Sequence, residues 1–448
     1  MVDQPKDEDK ARTSVELFAG GGGLAMAVHQ AGFRPLLFNE FAKRACETLA
    51  TNAAARVPDG EKPTLPGPDD RPPLVEGDVE GLDMTYLNGK VDVIAGGPPC
   101  QPFSLGGVAK GDEDKRNMFP HMFRAIREIQ PKAVICENVR GLLRPSFEPY
   151  FQYIQRELEL PFERRRKGAT WQEHNEVLIK RLKSTATSDE ERYTVRMFPV
   201  NAADYGVPQI RHRVLLIAFR ADLGVDIDKF EKLVTTRQFS DDALWRSIRD
   251  GEYWERHASV EKVDSRVIKE VRERLPKVIK DDDCQPWRTL RDAIRGYGTG
   301  ERVEKGRSLP LLPPLPRIPL DQLETKPVVG DIPHHVGWPG ARIYDGHTPN
   351  ELDRPAKTVK AGVHGVPGGE SVMLLDERVP DERAPSGWRY QHRYMTVRET
   401  ARVMTFPDDW TLSGPRGEQM RQLGNAVPVT LGRFFAKAVA DGLAEAGH

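Results

Sequence analysis

Cysteine is scarce in this chain: Cys46, Cys100, Cys136 and Cys284 are the only four in 448 residues, and none share a C-x-x-C spacing. That excludes a disulfide framework and a cysteine-built zinc site, so the expectation is a reducing compartment and no metal. Long apolar runs are missing too. Nothing approaches the roughly 18 residues of a membrane span, and Met1 to Arg12 is charged where a secretion signal would be apolar. A cytoplasmic protein with a frayed tail over residues 1–12 and no membrane partner is expected. Net charge is nearly absent, with Lys+Arg 66 against Asp+Glu 67. Any face that binds nucleic acid must therefore come from local segregation of charge. What is present, 38% hydrophobic residues over this length, is enough for two or three domains with real cores.

The chain is organised around Gly96-Gly97-Pro98-Pro99-Cys100-Gln101-Pro102-Phe103-Ser104. Val91 to Ala95 reads as a buried strand that two glycines and two prolines stop. Cys100 then stands at a strand's carboxyl end, where open α/β sheets bind ligands and a nucleophile would be useful. A lone cysteine is otherwise a small core residue, so its neighbours must decide. Upstream, a strand from Ser14 to Phe18 runs into Ala19-Gly20-Gly21-Gly22-Gly23-Leu24 and a helix to about Gln30. Gly20, Gly22 and Ala25 satisfy G-x-G-x-x-A, a turn that brings backbone N–H groups to a ligand. After a second strand, Pro35 to Asn39, Glu40 falls where an acid would take ribose hydroxyls. The unit binds a nucleoside; nicotinamide and S-adenosyl cofactors both fit it.

Residues 56–75 read as a proline-rich surface loop. Asp78, in Gly77-Asp78-Val79, suits an adenine amino group or serves as a turn residue. Gly106 to Asn117 lacks a hydrophobic period and reads as a lid beside the thiol. A helix from about Met118 to Ile129 leads to a strand, Ala133 to Cys136, with Glu137-Asn138-Val139 at its end. Four preceding apolar residues set Glu137 apart from an ordinary surface glutamate. Residues 161–192 read as a solvated helical insertion, with a phosphate-contacting arm as the sharper alternative. Arg211 and Arg213, at i and i+2 on an extended segment beside the strand Val214 to Phe219, point the same way and together answer to an anion. Gly424-Asn425-Ala426-Val427-Pro428 precedes an amphipathic helix, Val429 to Ala446, whose proline suits a first-turn position.

Taken in order, these motifs make the chain resemble the cytosine-5 DNA methyltransferases over residues 14–219 and 391–440. Phe18-Ala19-Gly20-Gly21-Gly22-Gly23 is similar to that family's cofactor loop, Pro98-Pro99-Cys100-Gln101 to its nucleophile motif and Glu137-Asn138-Val139 to its acid motif. Gln209-Ile210-Arg211-His212-Arg213 matches Q-x-R-x-R, and Thr396-Val397-Arg398-Glu399 through Phe406-Pro407-Asp408, then Gly424 to Pro428, continue the series. Asp353 to Val359 also looks family-like. The resemblance implies an α/β fold: a Rossmann-like S-adenosylmethionine-dependent methyltransferase sheet with a second, smaller target recognition domain. It implies a catalytic domain over 13–220, a recognition domain over 221–390 and a C-terminal segment, 391–448, completing the catalytic domain. It also implies Cys100 as nucleophile, Glu137 as acid at the base, Arg213 at the base carbonyl and Arg211 as its support. S-adenosyl-L-methionine would be held by Phe18, Ala19, Gly20, Gly22, Gly23, Leu24, Glu40, Phe41, Asp78, Val79, Pro98, Asn425 and Val427. The implied partners are double-stranded DNA, read by a monomer, and cognate restriction or phage-defence proteins. A nicotinamide oxidoreductase would leave Cys100, Glu137 and the arginines without a common task. The nearer rivals are an RNA cytosine methyltransferase and a silent DNA-binding relative.

Overall fold

The computed structural model describes residues 11–99, 117–184, 187–258, 260–298, 303–304, 307–308, 312–346, 348–361, 371–384 and 386–448. Cys100 and the expected lid, as far as residue 116, lie outside the described residues. The chain divides into two compact units, one of Met1–Pro199, Val214–Val234 and Gly432–His448, the other of Val200–Arg213 and Thr235–Leu431.

The first unit is built on a sheet of β1 (Thr13–Leu17), β2 (Arg34–Glu40), β3 (Ala55–Arg56), β4 (Pro73–Glu76), β5 (Val93–Gly96), β6 (Ala133–Val139), β7 (Tyr193–Asn201) and β8 (His212–Arg220). Their order is β3-β4-β2-β1-β5-β6-β8-β7, and the six strands from β3 to β6 pair in parallel. Strands such as Val93-Ile94-Ala95 are apolar on both faces because helices cover both faces of a parallel sheet. The helices are α1 (Gly23–Gln30), α2 (Lys43–Asn52), α3 (Phe119–Ile129), α4 (Glu148–Glu159), α5 (Trp171–Leu182) and α6 (Ile227–Thr235). Phe119, Met122, Phe123 and Ile126 of α3 join Val15, Leu17, Ile94 and Val134 in one buried cluster, and Phe38, Cys46, Leu49 and Leu74 form another with Ala25. Strand order reverses between β1 and β5. The chain therefore leaves these adjacent strands in opposite directions and opens a crevice beyond their carboxyl ends. This is the Rossmann-like methyltransferase architecture.

Three expectations are corrected here. The ends of the 56–75 stretch belong to the sheet: Ala55 and Arg56 pair with Pro73 and Leu74 at its edge, because the proline-rich turn between them returns the chain in register. Glu137 lies within β6 rather than after it. The 161–192 insertion is helical but docked: α5 starts with a Thr170–Glu173 capping box, sets Trp171 edge-on to Tyr150 at 5.2 Å and buries Leu178 and His174. His174 Nδ1 meets the Tyr153 hydroxyl at 3.1 Å.

β1 also carries an acid that the alternation of the strand conceals. Glu16 is 1% exposed and pairs in register with Phe38 and Ala95. Burial pushes its carboxyl up to about 8 from 4.5, with Ser14 pulling weakly the other way. The folded state therefore holds a proton that the unfolded chain releases, and stability falls as pH rises from about 4.5 to about 8. Glu16→Gln, which cannot ionise, should match the unaltered protein near pH 4.5 and exceed it by about 3 kcal/mol at pH 7. Urea unfolding at several pH values measures the gap; a gap that does not widen with pH would refute this account.

The second unit is built from α7 (Asp241–Asp250), α8 (Glu252–Ala258), α9 (Ser265–Arg272), α10 (Leu290–Arg295), α11 (Val397–Val403) and α12 (Arg416–Asn425). Three short pairs accompany them: β9 (Phe239–Ser240) with β10 (Gln285–Pro286), β11 (Val303–Glu304) with β12 (Arg307–Ser308), and β13 (Val372–Pro380) with β14 (Trp388–Tyr394). Leu244, Ile248, Tyr253, Trp254, Val267 and Trp287 form an apolar centre. Beside it run buried ion pairs, Arg256 with Asp292 at 2.7 Å, Arg291 with Asp353 at 2.6 Å and Arg393 with Glu399 at 2.6 Å.

This division differs from the boundary expected at 391. Residues up to Leu431 group with the second unit, where Arg402 of α11 donates to the carbonyls of Ala293 (3.2 Å) and Pro313 (2.7 Å). Only Gly432–His448 groups with the first. α13 (Val429–Glu445) buries Leu431, Phe435, Ala438 and Leu443 as the helical spacing predicts; Pro428 precedes the helix rather than opening it. Among the described residues no helix is long and apolar enough to cross a membrane.

Candidate active site

In the first unit the glycine-rich loop turns directly out of β1 at the mouth of the crevice. The turn requires left-handed backbone at three positions, Phe18 (φ 55°), Gly20 (φ 54°) and Gly22 (φ 92°). Two of these are glycines, which adopt it without strain; Phe18 is not, and the rest of the loop must hold it there. Glu40 does much of that holding. Its Oε2 accepts from Gly20 N at 2.7 Å and its Oε1 from Ala42 N at 2.7 Å, so the carboxylate expected to meet ribose also ties the loop to the end of β2. Ala19 N donates to Asn39 O (3.1 Å). The buried Asn39 amide donates to the carbonyls of Val75 and Gly77, both at 3.1 Å, fixing the end of β4 against that of β2.

Gly22, Gly23 and Leu24 are buried where the loop enters α1. Phe41 is 74% exposed, an unusual position for a phenylalanine and one that leaves a ring face free for a ligand. Asp78 is exposed; its Oδ1 accepts from Glu80 N at 2.9 Å and caps a short 3-10 turn beginning at the buried Val79. The residues brought together at this end of the sheet are thus Phe18, Ala19, Gly20 and Glu40, with Phe41 following in sequence and Asp78 following β4.

One strand further along, β5 ends at Gly96, where a larger residue would not fit, and Gly97 follows. A Cβ at Gly96 would lie 2.7 Å from Leu17 O, and one at Gly97 would lie 3.4 Å from Glu137 Oε2. The Glu137 carboxyl, 7% exposed, therefore lies on the side of Gly97 where a side chain would begin, close to the segment that leads into Cys100. Asn138 holds the same segment by donating from Nδ2 to the carbonyl of the buried Pro98 at 2.9 Å. The sequence reading gave Asn138 no role; its place beside Glu137 in the acid motif was the available signal. Two other cysteines are poorly suited to nucleophilic work. Cys46 donates its thiol to Glu40 O at 3.2 Å, and burial, with Glu40 and Glu76 nearby, pushes that thiol up to about 12. Cys136 is buried inside β6.

In the second unit, Arg211 is fully buried. It donates to the carbonyls of Val359 (2.8 Å), Gly424 (2.7 Å) and Ala426 (2.9 Å). Its guanidinium thus grips three backbone oxygens from distant parts of the chain, a clamp rather than a group that could touch substrate. Gln209, also fully buried, accepts from Val359 N at 3.2 Å. Asp353 to Val359 is therefore the segment that zips onto the Q-x-R-x-R stretch, with Ile210 N donating to Ala356 O at 2.8 Å. Gly424 is required here because the backbone of Lys360 and Ala361 passes where a side chain would begin. Arg213 is half-buried and donates to His212 O at 2.8 Å. Asn425 ends α12 exposed, and Val427 is buried.

The sequence profile of the C-5 cytosine-specific DNA methylases matches residues 12–160 and 171–441. Type II methyltransferase M.PspPI of Psychrobacter sp. (strain TA137) is 29% identical over 97% of this chain and 80% of its own length. Type II methyltransferase M.Eco47II of Escherichia coli is 29% identical over 98% of this chain and 81% of its own. Among solved structures, one from E. coli described as a prophage-encoded DNA modification methyltransferase superposes with a TM-score of 0.51 at 19% identity. It covers 97% of this chain and 100% of that one.

Proposed function

The chain belongs to the C-5 cytosine-specific DNA methylases, and on that premise we propose that it methylates carbon 5 of a cytosine flipped out of duplex DNA, through a covalent adduct with Cys100. S-adenosyl-L-methionine supplies an electrophilic methyl group when bound. The first unit suits such a nucleoside: a left-handed loop at the strand-order reversal, a carboxylate beside it and an exposed aromatic face at Phe41. Phe18 to Leu24 would take its methionine side, Glu40 its ribose, and Phe41, Asp78 and Val79 its adenine. Pro98 would close the floor, and Asn425 and Val427 are assigned to the methionine end by the resemblance.

Carbon 5 of cytosine is a poor nucleophile until something adds at carbon 6, and a thiolate adds reversibly. Cys100 takes that role. Addition drives charge toward ring nitrogen 3, where the Glu137 carboxyl stabilises it by hydrogen bonding. Arg213 takes the base carbonyl, and Arg211 works as a positioning residue by holding its own strand. Loss of the carbon 5 proton and elimination of the thiolate close the cycle. A base inside a duplex cannot be reached by these groups, so it must be extruded, at a cost of a few kcal/mol. The observation that carries this reading is the buried Glu137 carboxyl on β6, in register beside the end of β5 that leads to Cys100. Residues 221–390 are assigned to sequence recognition, with the protein acting as a monomer beside a cognate restriction or defence partner.

Bisulfite or nanopore sequencing of DNA from cells expressing this chain tests the proposal. Full 5-methylation of cytosine at one short duplex motif is expected. Methylation found only in RNA, or none at all, would reject it.

A further inference from the structure

The second unit holds a cavity of about 290 Å³ between the segment before α9, the end of α10 and β13. Its charges are nearly all matched. Arg291 takes Asp353 (2.6 and 2.9 Å) and Asp376 (2.7 and 2.8 Å). Arg317 is held by Glu261 and Glu377 together. Asp264 caps α9 by accepting from Arg266 N at 2.7 Å. Arg295 is the least well matched: it forms an ion pair with Glu261, but its Nε makes no hydrogen bond. It is 7% exposed, and the nearest carboxylate oxygen, Glu261 Oε2, is 3.7 Å away. A buried cation left in that state is costly and calls for an acceptor. Two further atoms on residues lining the same cavity are unsatisfied: Glu377 Oε2, an acceptor that lacks a donor, and His257 Nε2, which stands 3.2 Å from Asp292 Oδ1.

We infer that this cavity is a binding site for a phosphate monoanion, either of inorganic phosphate or of a phosphomonoester that keeps its second proton, the form favoured at about pH 6 and below. The ligand's charged oxygens accept from the Arg295 guanidinium and its P–OH donates to Glu377 Oε2. Exposed Lys262 at the rim adds a further positive charge. The requirement for a donor as well as an acceptor selects among oxyanions. Sulfate at neutral pH has no proton to give, and a phosphodiester of the DNA backbone has none either. Both would set an anion against an unmatched carboxylate oxygen.

Thermal unfolding of the full chain in inorganic phosphate, in sulfate and in chloride at matched ionic strength tests this without DNA. Phosphate should raise Tm by about 3 °C or more over chloride, and sulfate should not. Arg295→Met should remove the phosphate response, while Glu377→Gln, whose amide can donate, should let sulfate stabilise as phosphate does. A nucleoside monophosphate in place of inorganic phosphate separates the two sources: an equal Tm rise assigns a phosphomonoester, and a rise with inorganic phosphate alone assigns the free ion. If phosphate, sulfate and chloride act alike on the unaltered chain, Arg295 Nε and Glu377 Oε2 hold no such ligand and the inference fails. It also fails if Arg295→Met instead lowers the slope of log K for DNA against log salt by about 0.9, the mark of a backbone contact. None of these readouts depends on methyl transfer, so this inference and the proposed function can fail separately.

Discussion

Replacing Cys100 by serine is expected to abolish methyl transfer while cofactor affinity stays within a few fold. A hydroxyl is a far weaker nucleophile than a thiolate, and the glycine-rich loop is tied to the end of β2 by Glu40. Incubating the unaltered protein with cofactor and a duplex carrying 5-fluorocytosine should trap a covalent complex, because fluorine cannot leave as a proton does. Peptide mapping should place the adduct at Cys100. Two of the other three cysteines sharpen the test: Cys46 is engaged with Glu40 O and held protonated by burial, and Cys136 is sealed within β6. An adduct at either of these, or residual turnover in the serine variant, would overturn the mechanism.

The second large effect is expected at Glu137. Glutamine keeps the size and shape of the buried side chain but cannot supply or share a carboxyl proton, so Glu137→Gln should slow the chemical step by about 10²-fold or more. Single-turnover kinetics would isolate that step, and equilibrium titration would show whether the cofactor still binds. Because Glu137 lies on β6, with β5 between it and β1, cofactor affinity should barely change. Should affinity fall as far as the rate does, Glu137 belongs to the cofactor site and not to the base.

Much of the first unit is written locally in the sequence. β1, the glycine loop, α1 and β2 are each marked by apolar period and glycine placement within a few residues, so their geometry follows from short-range chemistry. Glu40 was legible for its spacing but not for its bonds: its ties to Gly20 N and Ala42 N depend on how two strand ends lie side by side. The edge strands β3 and β4 were hidden by their brevity and by the prolines around them, since a two-residue strand has no detectable period. Glu16 was concealed because a glutamate flanked by Val15 and Leu17 looks like the solvent side of an alternating strand, whereas both faces of this sheet are covered. The partners of Arg211 could not be foreseen at all. Two arginines at i and i+2 suggested an anion, yet one of them is spent on carbonyls that only the folded chain brings near. The docking of α5 likewise rests on Tyr150 and Tyr153, which lie in a different helix from Trp171.

The Arg211 clamp has a bearing on how the protein is made. Its three acceptors lie 148, 213 and 215 residues downstream, so a ribosome must add almost half of the chain before the guanidinium finds what it will hold. Until then a cation destined for full burial stays hydrated, and the Asn201–Arg211 stretch has local bonds, such as Arg211 N to Asn201 Oδ1 at 3.1 Å, without the clamp that closes it. Long-range closures of this kind come late and slow folding. Nascent chains halted before residue 424 should remain protease-sensitive around 200–213 even when the β1–β6 region already resists digestion, and they should gain protection abruptly once Ala426 has emerged.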